Sequence, residues 1–343
     1  MTKRITTLWC AVVLVMGLWA QDANNRTGIK VCAQNLENYY FNLNTGRGNY
    51  TPAEFREKTR KIVNAMIAID ADIYAFCEVE ANPIVLEQLA DSFNVRVEGT
   101  PFVPVSDGIY TTWSEENDYN IKSGFIYRTD RVKTIGQSKP GTPGNGYYAH
   151  TMRIQVFEDL ETHEQFTLSM NHFKAKDSSY DQGESKRINN ANNLMSALSN
   201  SSLDPDILIM GDLNCEVGEA PLNIIENEGF EEQLLRFDPN TYSHCYRGGE
   251  LIDHVYANSS MAEYVQDAYV VHVSAYRCNP SLSWYDSYSD HDPYVVELSF
   301  AEDLSPLENV STPLRAQKAI ESGQLILTLP DGSAFNIMGI RVR

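Results

Sequence analysis

Between residues 28 and 300, short apolar runs alternate with polar connections, and the spacing of the apolar positions separates strands from helices. The predicted strands cover residues 29–33, 73–77, 123–127, 152–157, 166–170, 207–210, 252–257 and 294–300. Two further stretches repeat apolar residues at helical spacing. One begins at Thr51-Pro52-Ala53-Glu54, a capping box with proline at the first helical position, and the other covers 185–199. This alternation of strands with helices predicts an α/β fold.

Four of the predicted strands run into a polar residue that is able to bind a metal ion or transfer a proton. These residues are Asn35, Glu78, His172 and Asp212. One such residue means little, because a buried strand often ends in solvent, but four of them at sheet edges indicate a site. Two dipeptides, Asp253-His254 and Asp290-His291, lie in or just before the last two predicted strands and belong to the same set.

The charge balance limits how the protein holds a phosphate-containing substrate. The chain has 27 Lys and Arg against 46 Asp and Glu, which gives a net charge of −19. So acidic a chain cannot bind a polyanion through a broad basic face. We therefore expect a bound cation to neutralise much of the charge of any phosphate substrate. The 43% of hydrophobic residues excludes an intrinsically disordered protein.

The two ends of the chain differ from residues 28–302, which we expect to form one domain. Residues 1–20 combine Lys3 and Arg4 with an apolar run that is short for a membrane span, as in an export signal. They predict a bacterial protein that is secreted, periplasmic or on the cell surface. Residues 303–314 are a predicted linker. Residues 315–343 contain two β-runs around a Pro-Asp-Gly turn, which predict either a docked hairpin or a tail that resembles the sorting tails of the type IX secretion route.

Five cysteines follow the predicted signal, and their spacing matches no zinc-binding pattern. Cys32 and Cys77 lie in apolar runs and are predicted to be buried. Cys245 and Cys278 lie in loop-like stretches and are candidates for a disulfide in an oxidising compartment. The odd count leaves at least one thiol free.

The polar residues at the strand ends form a chemically coherent set. Hard oxygen donors, which Mg²⁺ and Ca²⁺ prefer, are present at Asn35, Glu78, Asp212, Asn214 and Asp290. His172 and His291 add groups that change protonation near neutral pH. Together these groups suit metal-assisted attack of water on a phosphodiester. We interpret the remaining histidines as surface or structural residues: His150, His163, His244, His254 and His272.

Six short motifs occur in order along the chain. They are QNLEN (34–38), FCEVE (76–80), NHFK (171–174), GDLN (211–214), IDH (252–254) and SDHDP (289–293). This order resembles that of the endonuclease/exonuclease/phosphatase superfamily, over nearly the whole stretch from residue 29 to residue 300. Each motif alone is weak, but six in order make the resemblance specific. The connecting segments are most similar to those of secreted bacterial nucleases.

The resemblance implies a DNase I-like fold, a four-layer α/β sandwich with two mostly antiparallel sheets and flanking helices. It also implies a divalent cofactor, Mg²⁺ or else Mn²⁺ or Ca²⁺, with Glu78 as the principal ligand, Asn35 beside it and Asp290 as a further ligand. Arg153 falls where members of the family carry a phosphate-binding side chain. Lys174, in the NHFK motif, is a second candidate substrate contact.

The same resemblance implies catalytic roles for five residues. Asp212 would orient or deprotonate the attacking water, and Asn214 would hold a phosphate oxygen. His172 and His291 would contact the scissile phosphate, and Asp253 would orient His291 and stabilise its charged form.

These roles predict a secreted phosphodiesterase, first of all a nuclease that acts on DNA or RNA as a monomer without a stable membrane insertion or an identified protein partner. The alternative keeps the machinery and changes the substrate to a phospholipid head group, such as that of sphingomyelin, or to a small phosphate ester. The low density of Lys and Arg weighs against a duplex substrate rather than against hydrolysis. A binding protein that has lost catalysis is a third hypothesis, disfavoured because every expected ligand is present.

Overall fold

The computed structural model describes residues 28–40, 50–97, 101–108, 121–141, 151–245, 249–275, 277–279, 281 and 287–300, and three strands between residues 317 and 336. The predicted export signal and linker lie outside the described residues. The helices are α1 (Pro52–Ile69), α2 (Ile84–Asn94), α3 (Glu184–Leu198), α4 (Ala220–Asn227), α5 (Gln233–Phe237) and α6 (Ser259–Tyr264). The strands up to residue 300 are β1 (Ile29–Tyr39), β2 (Ile73–Glu80), β3 (Phe102–Pro104), β4 (Ile121–Arg128), β5 (Val132–Pro140), β6 (Met152–Asp159), β7 (Gln165–His172), β8 (Ile207–Asp212), β9 (Phe230–Glu232), β10 (Asp253–Asn258), β11 (Val265–Val270) and β12 (Tyr294–Leu298).

These twelve strands form two six-stranded sheets. The first has the order β11-β12-β1-β2-β4-β3, and the second has the order β5-β6-β7-β8-β10-β9. Each sheet contains one parallel pair, β1 with β2 and β7 with β8, and the other pairings are antiparallel. The predicted architecture of two mostly antiparallel sheets is therefore confirmed.

The alternation of side chains along each strand separates an inner face from an outer one. Val31 and Ala75 of the first sheet share a buried core with Leu168 and Met210 of the second sheet. On its outer face the first sheet packs against α1 and α2. The outer face of the second sheet packs against α3 and α4. The order helix, sheet, sheet, helix gives the four predicted layers.

Helix α1 begins where the sequence predicts. The Thr51 hydroxyl accepts a hydrogen bond from the Glu54 amide, and the Glu54 carboxylate accepts one from the Thr51 amide, so the predicted capping box is formed. The helix ends at Ile69, and the left-handed backbone of the next residue, Asp70, stops the helical hydrogen-bond pattern. No helix among the described residues is long and apolar enough to cross a membrane.

The cysteines agree with their predicted environments. Cys245 and Cys278 form a disulfide across 33 positions of sequence. Cys32, Cys77 and Cys215 are buried and free. The disulfide joins two loops beside the end of the sandwich at which the predicted catalytic residues lie.

Residues 301–343 form a second, separate unit. Its described part is an antiparallel sheet of β13 (Gln317–Glu321), β14 (Gln324–Thr328) and β15 (Ala334–Asn336). Strands β14 and β15 correspond to the two predicted β-runs. Strand β13 was not predicted, because its QKAIE sequence is mostly polar and lacks an apolar run.

Candidate active site

The carboxyl ends of the two parallel strand pairs meet at one end of the core between the sheets. The Asn35 side chain, on β1, donates a hydrogen bond of 3.0 Å to Asp212 Oδ2 at the end of β8. His172 Nε2, at the end of β7, lies 3.6 Å from Glu78 Oε1 on β2. The four strand-end residues that the sequence singled out are therefore neighbours in space.

A bulge turns Glu78 into this site. Cys77 packs in the core between the sheets, whereas Val79 packs on the outer face, although residues two apart in a regular strand share a face. The extra residue is Glu78, whose φ of 54° lies in the left-handed region. Its carboxylate accepts hydrogen bonds from the Asn35 amide (3.1 Å) and from the Asn38 backbone N–H (2.9 Å). A regular strand would have pointed this carboxylate toward the helices.

Gly211 brings β8 close enough to β7 to place Asp212. A Cβ atom on Gly211 would lie 2.2 Å from the Asn171 carbonyl oxygen, so this close approach requires glycine. Asp212 is buried, and its Oδ1 accepts a hydrogen bond of 2.9 Å from the backbone N–H of Asn214. The GDLN motif thus fixes a buried carboxylate at the end of a strand.

Two imidazoles lie on either side of that carboxylate. His172 Nε2 and His291 Nε2 are each 3.7 Å from Asp212 Oδ2. Burial raises the pKa of Asp212 and Asp253 adds to the effect, while His291, His172 and the amide of Asn35 offset part of it. With a raised pKa, the Asp212 carboxylate is a stronger base than an exposed aspartate.

Asp253 holds His291 in one orientation. Its Oδ2 accepts hydrogen bonds from His291 Nδ1 (2.7 Å) and from the Ser243 hydroxyl (2.6 Å). Burial favours the neutral imidazole, but the carboxylates of Asp253 and Asp212 outweigh it and raise the pKa of His291 well above its ordinary value. The arrangement favours a charged His291 whose Nε2 faces Asp212.

Asp290 lies beside two histidines rather than one. Its Oδ1 is 3.9 Å from His291 Nε2, and its Oδ2 is 3.9 Å from His244 Nε2. The rings of His244 and His291 are 4.8 Å apart between centroids, and His244 Nδ1 lies 2.9 Å from Glu250 Oε2. From its sequence His244 is interpreted as a surface or structural residue, and in the structure it lies beside Asp290. No pattern in the sequence places His244 beside Asp290.

The charge of the site suits a bound cation. Burial and the nearby carboxylates of Asp290 and Glu78 raise the pKa of Glu37, so three acidic side chains lie close together in this site. Asn35 turns its Oδ1 to the Glu37 backbone N–H (2.8 Å) and its amide nitrogen to the carboxylates. In this orientation Asn35 positions Glu78 and Asp212, and its role as an oxygen ligand stays a prediction. Oxygen-rich donors and excess negative charge fit Mg²⁺ or Mn²⁺.

The other members of the SDHDP motif hold the loop that carries His291. The buried Asp292 carboxylate accepts backbone N–H bonds from Val273, Ser274 and Ala275, and a bond of 2.8 Å from His272 Nδ1. The Ser289 hydroxyl donates to the Asn35 carbonyl oxygen (2.6 Å), which ties this loop to β1. Asp292 and Ser289 have no role in the sequence prediction, and His272 is structural as predicted.

The two predicted substrate contacts have other partners in the structure. Arg153 is buried, and its Nη2 donates to the Asp107 carbonyl oxygen (3.1 Å) and to the Ser138 hydroxyl (3.0 Å). Lys174 Nζ lies 3.6 Å from Asp177 Oδ2. The role of Arg153 and Lys174 in substrate binding stays a prediction.

Comparison with known proteins bears on this site. A sequence profile described as the Endonuclease/Exonuclease/phosphatase family matches residues 39–291. An endonuclease/exonuclease/phosphatase family protein from Bacteroides thetaiotaomicron superposes with a TM-score of 0.58 at 16% identity, covering 79% of this chain and 97% of its own. The mannosyl-6-phosphatase Bt3783 of the same species gives 0.52 at 16% identity, covering 79% and 100%. D. rerio TDP2, complexed with a single-strand DNA product, gives 0.52 at 13% identity, covering 79% and 99%.

At these identities the structural likeness shows the fold alone. A search of curated proteins finds no match.

Proposed function

Since the chain belongs to the endonuclease/exonuclease/phosphatase family, we propose that it is a secreted, divalent-metal-dependent phosphodiesterase whose first candidate substrates are DNA and RNA. One observation carries the proposal: side chains from four distant parts of the chain meet, since His172 lies 3.6 Å from Glu78 and 3.7 Å from Asp212, and His291 also lies 3.7 Å from Asp212. The coarser activity, hydrolysis of a phosphate ester, is that of the family. The export signal expected at residues 1–20 supports a place outside the cytoplasm.

The residues divide the work of hydrolysis between a base and two hydrogen-bond donors. Water forms the new bond to phosphorus and gives its proton to Asp212, whose raised pKa makes it a competent acceptor. His291, held by Asp253, and His172 donate to phosphoryl oxygens as negative charge develops there. The bond from phosphorus to the leaving oxygen breaks, and that oxygen takes a proton from solvent. A cation held by Glu78 and Asp290 would offset the remaining charge on the phosphate.

A small phosphate ester is the second candidate substrate, and the pairing of the cationic side chains favours it. Lys122, on β4, forms a buried ion pair of 2.7 Å with Asp107. Lys174 lies near Asp177, and Lys176 is bound by two glutamates at 3.0 and 2.7 Å. Cations that are already paired contribute little to the binding of a polyanion. A substrate with a single phosphate needs fewer such contacts.

A substrate panel tests the proposal. The purified protein is assayed with single-stranded DNA, duplex DNA, RNA, sphingomyelin, mannose 6-phosphate and bis-p-nitrophenyl phosphate, each with Mg²⁺, Mn²⁺ or EDTA. We expect hydrolysis that EDTA abolishes. Asp212→Asn should lower kcat by about 10²–10⁴-fold, whereas Asp130→Asn, the same change at an exposed position, should have no effect. Full activity in EDTA, or in the Asp212→Asn protein, would exclude the proposed chemistry.

A further inference from the structure

We infer that His244 is a ligand of the cation in this site, beside Asp290, and that its nitrogen shifts the metal preference from Mg²⁺ and Ca²⁺ toward Mn²⁺. The inference rests on the proposed metal-dependent function. His244 lies outside the six sequence motifs.

The backbone holds His244 between two parts of the site. It forms isolated β-bridges with Glu250 on one side and with His291 on the other. The side chain of His244 is 14% exposed, and the next residue, Cys245, is fixed by its disulfide to Cys278. The imidazole therefore has little freedom to leave the neighbourhood of His291.

Glu250 selects the tautomer that a metal ligand needs. Its Oε2 lies 2.9 Å from His244 Nδ1, so Nδ1 carries the proton and donates a hydrogen bond to the carboxylate. In the neutral imidazole the lone pair is then on Nε2, the atom that faces Asp290. A carboxylate that accepts from the far nitrogen is the usual support of a metal-bound histidine.

The distance between the two proposed ligand atoms suits a shared ion. His244 Nε2 and Asp290 Oδ2 are 3.9 Å apart, which is longer than a hydrogen bond. Two atoms that each lie about 2.1 Å from one ion are about 3.0 Å apart at a right angle and about 4.2 Å apart when opposite. His291 lies within 4.8 Å of these two ligand atoms, where, as a charged donor, it would contact a phosphate oxygen rather than the ion. Asp290 is 55% exposed, so an ion held here remains open to substrate.

The structural histidines of the protein look different. His254 Nε2 lies 2.9 Å from the Cys215 carbonyl oxygen, and its Nδ1 lies 3.6 Å from Glu232, so both nitrogens of this fully buried ring face groups of the fold. His163 is also next to a glutamate, Glu158, at 3.2 Å, but it is 76% exposed. His244 differs because its second nitrogen points at a predicted metal ligand.

A nitrogen donor has a measurable consequence. Imidazole suits transition-metal ions, whereas Mg²⁺ and Ca²⁺ prefer oxygen. His244→Gln replaces Nε2 with an amide oxygen at a similar reach and so exchanges the donor type. We expect this variant to bind Mn²⁺ about 10–100-fold more weakly and to lose part of its preference for Mn²⁺ over Ca²⁺. His163→Gln makes the same change beside another glutamate and should leave both quantities unchanged.

Pulsed electron paramagnetic resonance of bound Mn²⁺ detects the nitrogen directly, without an activity assay. The wild-type protein should show ¹⁴N coupling to Mn²⁺, and His244→Gln should lose it, while calorimetry gives the dissociation constants. Glu250→Gln, which keeps the imidazole and removes only its charged partner, should weaken Mn²⁺ binding about tenfold, and it replaces His244→Gln if that variant does not fold.

The outcomes separate the inference from the proposed function. Wild-type affinity and ¹⁴N coupling in His244→Gln, or wild-type affinity in Glu250→Gln, would overturn the role of His244 and leave the metal-dependent hydrolysis standing. A wild-type protein that binds neither Mn²⁺ nor Mg²⁺ would overturn both.

Discussion

Replacing Asp253 with asparagine isolates the effect of one charge on His291. Both hydrogen bonds to Asp253, from His291 Nδ1 and from the Ser243 hydroxyl, end on Oδ2. Its Oδ1 is buried and has no hydrogen-bond partner within the part of the chain that the structure describes. An asparagine that places its amide oxygen at the position of Oδ2 keeps both bonds. Asp253→Asn therefore removes the negative charge and preserves the geometry.

The expected decrease in kcat/KM follows from the difference in free energy between charged and neutral hydrogen bonds. A bond to a charged group contributes about 1.5–3 kcal/mol and a neutral one about 0.5–1.5 kcal/mol, a difference of about 1–1.5 kcal/mol. If the imidazolium acts in the transition state, this difference lowers kcat/KM about 5–13-fold. Asp253→Ala also removes the hydrogen bonds to the carboxylate and should lower kcat/KM about 10–150-fold. His291→Ala should lower kcat/KM about 10²–10⁴-fold.

The assay is hydrolysis of bis-p-nitrophenyl phosphate at saturating Mn²⁺, with thermal unfolding measured in parallel. The unfolding control matters because the new amide N–H₂ is buried where Oδ1 was, which costs stability without bearing on catalysis. Asp130→Asn is the matched surface control. In a His291→Ala background both replacements of Asp253 should have no further effect. An Asp253→Asn protein with wild-type kcat/KM, or an undiminished effect in the His291→Ala background, would contradict the proposed effect of the Asp253 charge on His291.

Two further predictions concern the loops around the site. Replacing Cys245 and Cys278 with serine should lower Tm by about 8–16 °C, because a disulfide across 33 positions contributes about 4 kcal/mol; thermal unfolding with and without reductant measures this, and an unchanged Tm contradicts it. Hydrogen bonds from the Ser185 side chain and backbone, and from the Gly183 backbone, lower the pKa of Asp181 in the turn before α3. A lowered carboxylate pKa gives stability that is present above the unfolded value of about 3.9 and is lost as the pH falls below it. Asp181→Asn should therefore lower Tm at pH 7, and its difference from wild type should shrink below about pH 4 in a pH series; a constant difference would count against this assignment.

The sequence predicted those parts of the site in which chemistry and secondary structure coincide. His172 and Asp212 end β7 and β8, and Asn35 follows the apolar run 29–33 within β1, so the sheet edge brings the three side chains together. The core was predictable for the same reason, because runs such as 73–77 and 207–210 are apolar on both faces. Where a strand departs from regular geometry, the pattern of apolar residues no longer predicts which way a side chain points. Glu78 points into the site only because its left-handed backbone shifts the alternation of β2.

The supporting residues could not be predicted, because their function depends on which loops meet. Ser243, Asp292 and Glu250 lie in loop-like sequence, where a serine or a carboxylate has many ordinary reasons to occur. Each becomes informative only through its partner: the Asp253 carboxylate, the backbone of residues 273–275, and His244. The same dependence explains why the sequence does not place His244 beside Asp290. A histidine next to a cysteine in a loop has no periodic pattern to place it, and only the bridge to His291 brings its Nε2 to Asp290. The strand-end residues can be recognised from the sequence, whereas the residues that orient them can be recognised only from the three-dimensional structure.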